Sequence, residues 1–562
     1  SFMLEQLIIH FGHIVKYLLF YFFIYLNGRA FAILLNRFIE KKTKVPEVKF
    51  LDTTKTLIYP LLGIALVGNL LVISNFFIAL KSPIVLIVLI LFSLINLVDL
   101  NFKNFDINIY KIFSYVLIPS IFLFFVYNAS WHYDAGFYHL NNQNWLRESN
   151  LIIGFVNIFW AFGMSSIYEY LSAILWNGNN FQFLTYLNIF FIHFFYQIIT
   201  ENIIKNKESV YKNSSILILI FSILDNFGLD GGRNGFIYFQ GLPKQDMSVA
   251  IIFFFVSRFI FVSIIKKNIT IMDLSISSFL ILFLVQIKLN AVPIFLLYLI
   301  FLSLILKNKI LTFYEILKSS SIALVFGSIW VLKYYLTTGC FIFPVNATCK
   351  NNFSWYLYES TKSYEEITRE ASYTITKFDN NFFEWFSVFY SFQINKVVLL
   401  NFLFSLLVIF IFLLLFTNRL KIDRTVFLIF LFFVISNLIY LIFYGPTPRY
   451  SVGILITIVG FIGFYINKLK FEIKNVIFYF LVFVSAVLLI RFNSYQAFLN
   501  NETTQLFDSR EIAVYIESNN DFVRPDIGDQ CWINLKCTMS NDLISINDSG
   551  FFKIASRQVI ND

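Results

Sequence analysis

Asp134 lies in WHYDAGFYHL, residues 131–140, just past an apolar run and flanked by His132, Tyr138 and His139. Three more stretches gather side chains of similar chemistry. DNFGLDGGRNGFIYFQGLPKQD, 225–246, is glycine-rich and carries Asp225, Asp230, Arg233, Lys244 and Asp246. Such a backbone can approach a ligand closely. YYLTTGCFIFPV, 334–345, opens a long loop that holds Trp355, Glu359, Glu365, Glu366, Arg369 and Glu370. YGPTPRYSVG, 444–453, places Arg449 and Tyr450 where a helix begins after two prolines.

This set of residues suits a lipid-linked phosphosugar. Breaking an anomeric C–O bond needs a carboxylate or imidazole to take the acceptor's hydroxyl proton, a role open to Asp134, His139 and Asp246. It also needs cations or dipoles at the departing phosphate. Arg449 is the expected clamp, because a guanidinium grips two phosphate oxygens at once, with Arg233 and Lys244 as helpers. A helix starting after Pro448 would add backbone donors. Trp131, Tyr138 and Tyr450 are the expected sugar or lipid platform. Plainer readings stand beside these. Asp134 could cap the helix that begins near Ala135, and Asp246 the span that follows it. Arg449 could snorkel to headgroups. The aromatics could form an interfacial belt. His10, His13 and His193 fall in apolar runs and read as packed core. Asp134, Asp230 and Asp246 could supply oxygen ligands to a divalent cation such as Mg²⁺ or Mn²⁺.

The elements that must position these residues read as membrane helices. The chain has 562 residues, 58% hydrophobic and only 14% charged, against about a quarter charged in soluble domains. Its +9 charge is a topology signal rather than a mark of nucleic-acid binding. Ser1 and Phe2 precede Met3 and read as a tag remnant, with no cleavable secretory signal after them. Roughly 20 apolar residues cross a bilayer core. Fourteen runs qualify: 6–26, 57–80, 83–100, 109–127, 181–200, 214–229, 248–265, 270–287, 291–306, 320–336, 397–416, 425–444, 451–467 and 475–491. Lys and Arg, from Arg29 and Arg37 through Lys205, Lys266, Lys267, Lys307, Lys309 and Arg424 to Lys474, sort onto alternate loops, which should be cytoplasmic. Lys288, Lys333 and Arg258 are expected near span ends, leaving His193 as the ionisable exception within a span.

The fold expected is therefore an all-α integral membrane protein. Its transmembrane domain, 3–491, carries outer loops at 128–180, 230–247 and 337–396, and a polar outer segment follows at 492–562. LIIGFVNIFWAFGMSSIYEYLSAILW, 151–176, is apolar enough to span, but a crossing there would invert the basic loops after it. It reads as interfacial or re-entrant helices shielded by protein. A helix is expected near 508–518. Cys531 and Cys537, in GDQCWINLKC, could form a disulfide outside the cytoplasm, as could Cys340 and Cys349.

Several of these stretches, taken in order, resemble bacterial inner-membrane proteins of surface-polysaccharide gene clusters. The resemblance is carried by Asp134, Tyr138, His139, Trp145, Gly154, Asn157, Phe162, Gly163, Ser165 and Ser166. It continues through Asp246, Lys288 in IKLNAVP, Gly339, Pro344, Pro446, Pro448, Arg449 and the paired-Cys tail. That group is similar in layout to GT-C glycosyltransferases, which use polyprenyl-phosphate-linked donors and an acidic residue in an outer loop; O-antigen polymerases are related in function. The resemblance implies a GT-C-like fold, polyprenyl-(di)phosphate-linked glycans as substrates, and a phosphate-binding role for Lys288. It also implies an inner-membrane enzyme with a periplasmic active face, working in the bilayer, with other polysaccharide-assembly proteins as potential partners. The competing expectation is a transporter or flippase of lipid-linked sugars, which would need charges buried at mid-membrane. A non-catalytic assembly scaffold is the third.

Overall fold

The computed structural model describes residues 2–40, 57–99, 109–178, 181–205, 209–227, 241–267, 269–350, 352–373, 381–417, 423–444, 448–466, 479, 482–486, 489, 492–500, 515–517, 522–525, 528–540 and 542–558. Among them the chain is mostly helical, and eight helices are long and apolar enough to cross a membrane. Five shorter apolar helices join them: Pro83–Val98, Ile109–Leu123, Val210–Leu224, Ile271–Ile287 and Val452–Tyr465. Together these account for every expected run except 475–491, which lies largely outside the described residues. Fourteen full-length crossings is thus more than the described helices supply.

Local chemistry sets the helix ends. Thr270 and Asp273 form a reciprocal capping box that starts Ile271–Ile287, and Thr312 with Glu315 does the same for Phe313–Thr338. Gly339, at φ 79°, ends the latter helix in the left-handed region. The first helix departs from expectation. It runs unbroken over Phe2–Glu40, so Arg29 and Arg37 lie on the helix rather than in a loop. Packing explains why Gly28 does not end it. A Cβ on Gly28 would stand 1.8 Å from Tyr59 O, and one on Gly63 would stand 1.9 Å from Ile24 O. Two glycines thus let the first helix and Ile58–Phe77 touch backbone to backbone, a form of helix contact common in membranes.

The interior between the first helix and Leu184–Ile204 is polar as well as apolar. His13 Nδ1 meets Tyr186 OH at 3.0 Å, Tyr17 OH meets His193 Nδ1 at 2.9 Å, and Tyr21 OH donates to Gln197 at 2.9 Å. His193 Nε2 reaches Ser114 O at 2.8 Å. Of the histidines expected in the core, His13 and His193 are therefore packed and hydrogen-bonded, and His10 is buried and stacks on Phe124 with ring centres 3.8 Å apart. One other expectation is corrected: Arg258, 1% exposed, lies well inside helix Asp246–Lys266 rather than near its end. Lys333 does lie near the end of its helix, Phe313–Thr338, and is only 2% exposed. Their long stems are buried in aromatic surroundings, Arg258 over Phe254, Phe255 and Tyr211.

The 151–176 segment makes no continuous helix. It divides into strand Ile152–Ile153, short 3-10 turns at Phe155–Asn157 and Trp160–Met164, and helix Ile167–Ala173, capped by Ser166. Strand Ile152–Ile153 pairs in parallel with Lys553–Gln558, which pairs antiparallel with Leu543–Asp548. The tail thus docks on this segment. A helix near 508–518 is not what forms at 515–517. Tyr515–Glu517 pairs antiparallel with Val523–Pro525, a use that suits the aromatic and β-branched Tyr515 and Ile516.

Candidate functional site

Two of the chemistry-bearing stretches are joined by backbone. Ser130–Trp131 pairs in parallel with Gly241–Leu242, and His132 N donates to Leu242 O at 2.8 Å. This brings the chain entering Asp134 beside the chain entering Lys244 and Asp246. Residues Ala135–His139 then form a π-helical turn, in which the Leu140 N–H reaches back to Ala135 O, and continue into helix Leu140–Glu148. The tail fixes this turn from outside. Trp532 N donates to Gly136 O at 2.9 Å, Asn144 donates to Ile533 O at 2.8 Å, and Tyr133 OH bonds to Asp529. Desolvation, then the bond to Asp529, pushes the Tyr133 phenol up to about 12, so it stays a donor at any physiological pH. Gly136 is required here, because a Cβ would stand 2.0 Å from Gln530 Oε1 and 2.7 Å from the Trp532 ring.

Helix ends converge around one cavity of about 440 Å³. His132, Asp134, Tyr138 and His139 line one side. Lys244, Gln245 and Asp246, where helix Asp246–Lys266 begins, line another. Lys288, just past Ile271–Ile287, and Tyr450, just before Val452–Ile462, complete the polar wall. Trp160, Phe343, Tyr334 and Tyr440 add aromatic surface. The other ends of the same helices carry Lys266 and Lys267, Lys307 and Lys309, and Arg424, so basic residues collect opposite the cavity.

Within the wall, charges are already arranged. Lys288 Nζ meets Asp246 Oδ1 at 2.5 Å and stands 4.2 Å from the Tyr450 ring centre. Asp246 does not act as the cap, since Gln245 takes that position. Asp134 holds the cap position of its turn, but its side chain makes no capping bond. Its carboxylate instead lies 3.3 Å from His132 Nδ1.

A deeper group was not singled out from sequence. Glu169 is 1% exposed, and three donors reach it. Gln143 Nε2 donates at 2.7 Å, Gln245 Nε2 donates at 2.9 Å, and His139 Nδ1 meets the same carboxylate. Trp176 Nε1 donates to Gln143 Oε1 at 2.8 Å, which fixes the amide so that its nitrogen faces Glu169. A carboxylate only accepts, so the proton of neutral His139 sits on Nδ1 and the lone pair on Nε2. His139 lines the cavity, and Nδ1 is the nitrogen turned away to Glu169. The signal was a lone glutamate in an apolar stretch that does not span.

Seven of the expected site residues, Asp134, Tyr138, His139, Lys244, Asp246, Lys288 and Tyr450, share this cavity. Trp131 does not line it and packs on Phe181 and Trp532, ring centres 5.6 and 5.9 Å away. Arg449 sits in the turn Pro448–Ser451, one residue before Tyr450, but its side chain lies outside the described residues, as do Arg233 and Asp230. Cys531–Cys537 and Cys340–Cys349 are disulfides. Among the described residues no three His, Cys, Asp or Glu side chains group to hold a metal. Asp246 is engaged by Lys288 and Asp134 stands against His132, so these residues offer no ready cation site.

Fold and site together define a many-helix protein with helices able to cross a membrane and one large polar cavity at their shared end. The chain belongs to the family described as Domain of unknown function (DUF8201), whose model matches residues 13–456 and so takes in every residue lining the cavity. No curated protein and no solved structure matches it.

Proposed function

We propose that the protein is a GT-C-like membrane glycosyltransferase acting on polyprenyl-(di)phosphate-linked sugars, of the kind that extends or polymerises surface polysaccharide. The observation that carries this reading is the convergence of Asp134, His139, Lys244, Asp246, Lys288 and Tyr450 on one cavity of about 440 Å³. That volume suits a small-molecule site. In the reaction, an acceptor hydroxyl oxygen attacks the anomeric carbon and its proton passes to a base. Two bases are at hand. Asp134 is one; His139 Nε2, held by Glu169, is the other. The bond between the anomeric carbon and the phosphate oxygen breaks, and the phosphate leaves with the electron pair. Lys288 and Lys244 stabilise its charge, with Arg449 as a third cation. Asp246 and Tyr450 hold the Lys288 ammonium in place until phosphate competes for it. Tyr138 and Tyr450 offer ring faces to sugar or isoprenoid.

The working face proposed is periplasmic, in the inner membrane of a bacterium. Basic residues at the helix ends away from the cavity support it through the positive-inside bias. The two disulfides support it as well, both lying at the cavity end, where an oxidising compartment would keep them.

The test is polymer formation in cells lacking the native gene and supplied with Asp134→Asn, His139→Gln or Arg449→Ala. Loss of polymer at normal membrane abundance is expected. Normal polymer from all three would end the proposal. A second reading, transport of lipid-linked sugar, draws on the mid-helix position of Arg258 and the buried hydrogen bonds of His193. Uptake of labelled lipid-linked sugar into sealed vesicles with no new glycosidic bond would favour it.

A further inference from the structure

We infer that Lys333, Trp145 and Ser165 form a binding site for a small monovalent anion of chloride size. The site is separate from the large cavity and stands whatever that cavity binds. Three observations meet there. The first is a buried cation. Lys333 lies near the cavity end of Phe313–Thr338 and is 2% exposed. Its ammonium donates to Ser165 O at 3.1 Å and lies 4.0 Å from the ring centres of Trp330 and Tyr334. Ring faces and one carbonyl soften the loss of water around an ammonium, but they carry no net negative charge. Two of its three protons have no protein acceptor among the described residues.

The second observation is a pair of orphan polar groups. Trp145 Nε1 and Ser165 Oγ are buried and have no hydrogen-bond partner among the described residues. An indole N–H can only donate, and a serine hydroxyl can turn its proton toward an acceptor. Buried groups of this kind are ordinarily satisfied.

The third observation is that all three residues line one pocket of about 20 Å³, room for about one water-sized body. Its lining contains no Asp or Glu. Asn75, also in the lining, has its amide nitrogen committed to backbone carbonyls, to Ser149 O at 3.0 Å among them. The pocket therefore offers one positive charge and unmet donors in a space too small for phosphate. A spherical monovalent anion satisfies all of these at once. A water molecule could give its protons to the Ser165 hydroxyl or the Asn75 carbonyl oxygen, but it would leave the lysine's charge uncompensated. The anion would tie Phe313–Thr338 to the segment that carries Trp145 and Ser165. Tyr334, which stacks on Lys333, also lines the large cavity, so this tie backs one of the cavity's walls.

The experiment uses the full chain in detergent, with thermal unfolding followed in sodium chloride, sodium bromide and sodium gluconate at equal ionic strength. Chloride and bromide should raise the melting temperature over gluconate by roughly 2–4 °C. Lys333→Met and Trp145→Phe should fold and lose most of that difference. A crystal grown in bromide should give an anomalous peak within hydrogen-bonding distance of Lys333 Nζ and Trp145 Nε1. Halide-independent melting of the unaltered chain, or an unchanged halide effect in Lys333→Met, would overturn the inference. So would bromide crystals with no anomalous signal in this pocket, a reading that does not depend on either variant folding.

Discussion

His139 turns Nδ1 to the buried carboxylate of Glu169, a residue thirty positions further along the chain. The imidazole lies at the cavity wall and the carboxylate behind it, as in other sites where a carboxylate orients a histidine base. Glu169→Gln tests whether this matters for chemistry. The amide keeps the shape but offers an N–H as readily as an oxygen, so the His139 tautomer is no longer fixed. The proposed transferase activity should fall by roughly 10²–10⁴-fold, as for loss of a general base, with abundance and substrate KM little changed. A fall confined to abundance, with specific activity intact, would show the pair to be structural only.

Lys288 and Asp246 make the second prediction. The pair is part-buried, with the carboxylate 11% exposed, so removing one partner strands the other. Lys288→Met should weaken binding of the proposed phosphate-bearing substrate by about tenfold or more and lower stability by about 1–3 kcal/mol. Asp246→Asn in the same chain should restore the stability and not the binding. The double-mutant cycle, read by thermal unfolding and by KM, separates the two. Full recovery of both would assign Lys288 a packing role.

The Cys531–Cys537 disulfide closes the loop that touches the π-helical turn. Cys531→Ser with Cys537→Ser should cost about 2 kcal/mol by the chain-entropy argument. Reductant should lower the melting temperature of the unaltered chain, and less so that of the double variant, in which Cys340–Cys349 alone remains reducible. Equal sensitivity of the two proteins would place the effect elsewhere.

Gly136→Ala puts a methyl group against Gln530 and Trp532. Gln530 can swing away and the indole cannot, so the tail loop should lift. Limited proteolysis should then cut within 528–540 several times faster than in the unaltered protein, with the helices intact. An unchanged cleavage rate would mean that the indole has another place to go.

Much of this site was legible in the chain because its residues sit where apolar runs stop. Asp134, Lys244, Asp246, Lys288 and Tyr450 each stand within a few residues of a helix end, where capping is the usual use of a polar group, yet neither Asp134 nor Asp246 serves as a side-chain cap. Glu169 was not legible as a site residue. Its partners Gln143 and Gln245 come from two other segments, and no periodicity links them. The burial of Arg258 and Lys333 was not legible, because an apolar run says nothing of which face of its helix is sheltered by neighbours; Arg258 in addition lies mid-helix, not near an end. The first helix was cut short for a related reason. Arg29 resembles a loop residue until its bond to Asn96 Oδ1 at 2.9 Å is known. The strand at Tyr515–Glu517 was mistaken for helix because three residues carry too little pattern to choose between them.

The bond between Tyr133 and Asp529 spans 396 positions. At ordinary rates of synthesis, about 5–20 residues per second, the ribosome needs roughly 20–80 s to travel between them. During that interval the turn bearing His139 is already made and lacks its outer brace. A nascent chain arrested before Trp532 would therefore hold its long apolar helices and a cavity wall without its outer brace. The last-made loop thus braces the earliest-made part of the cavity wall.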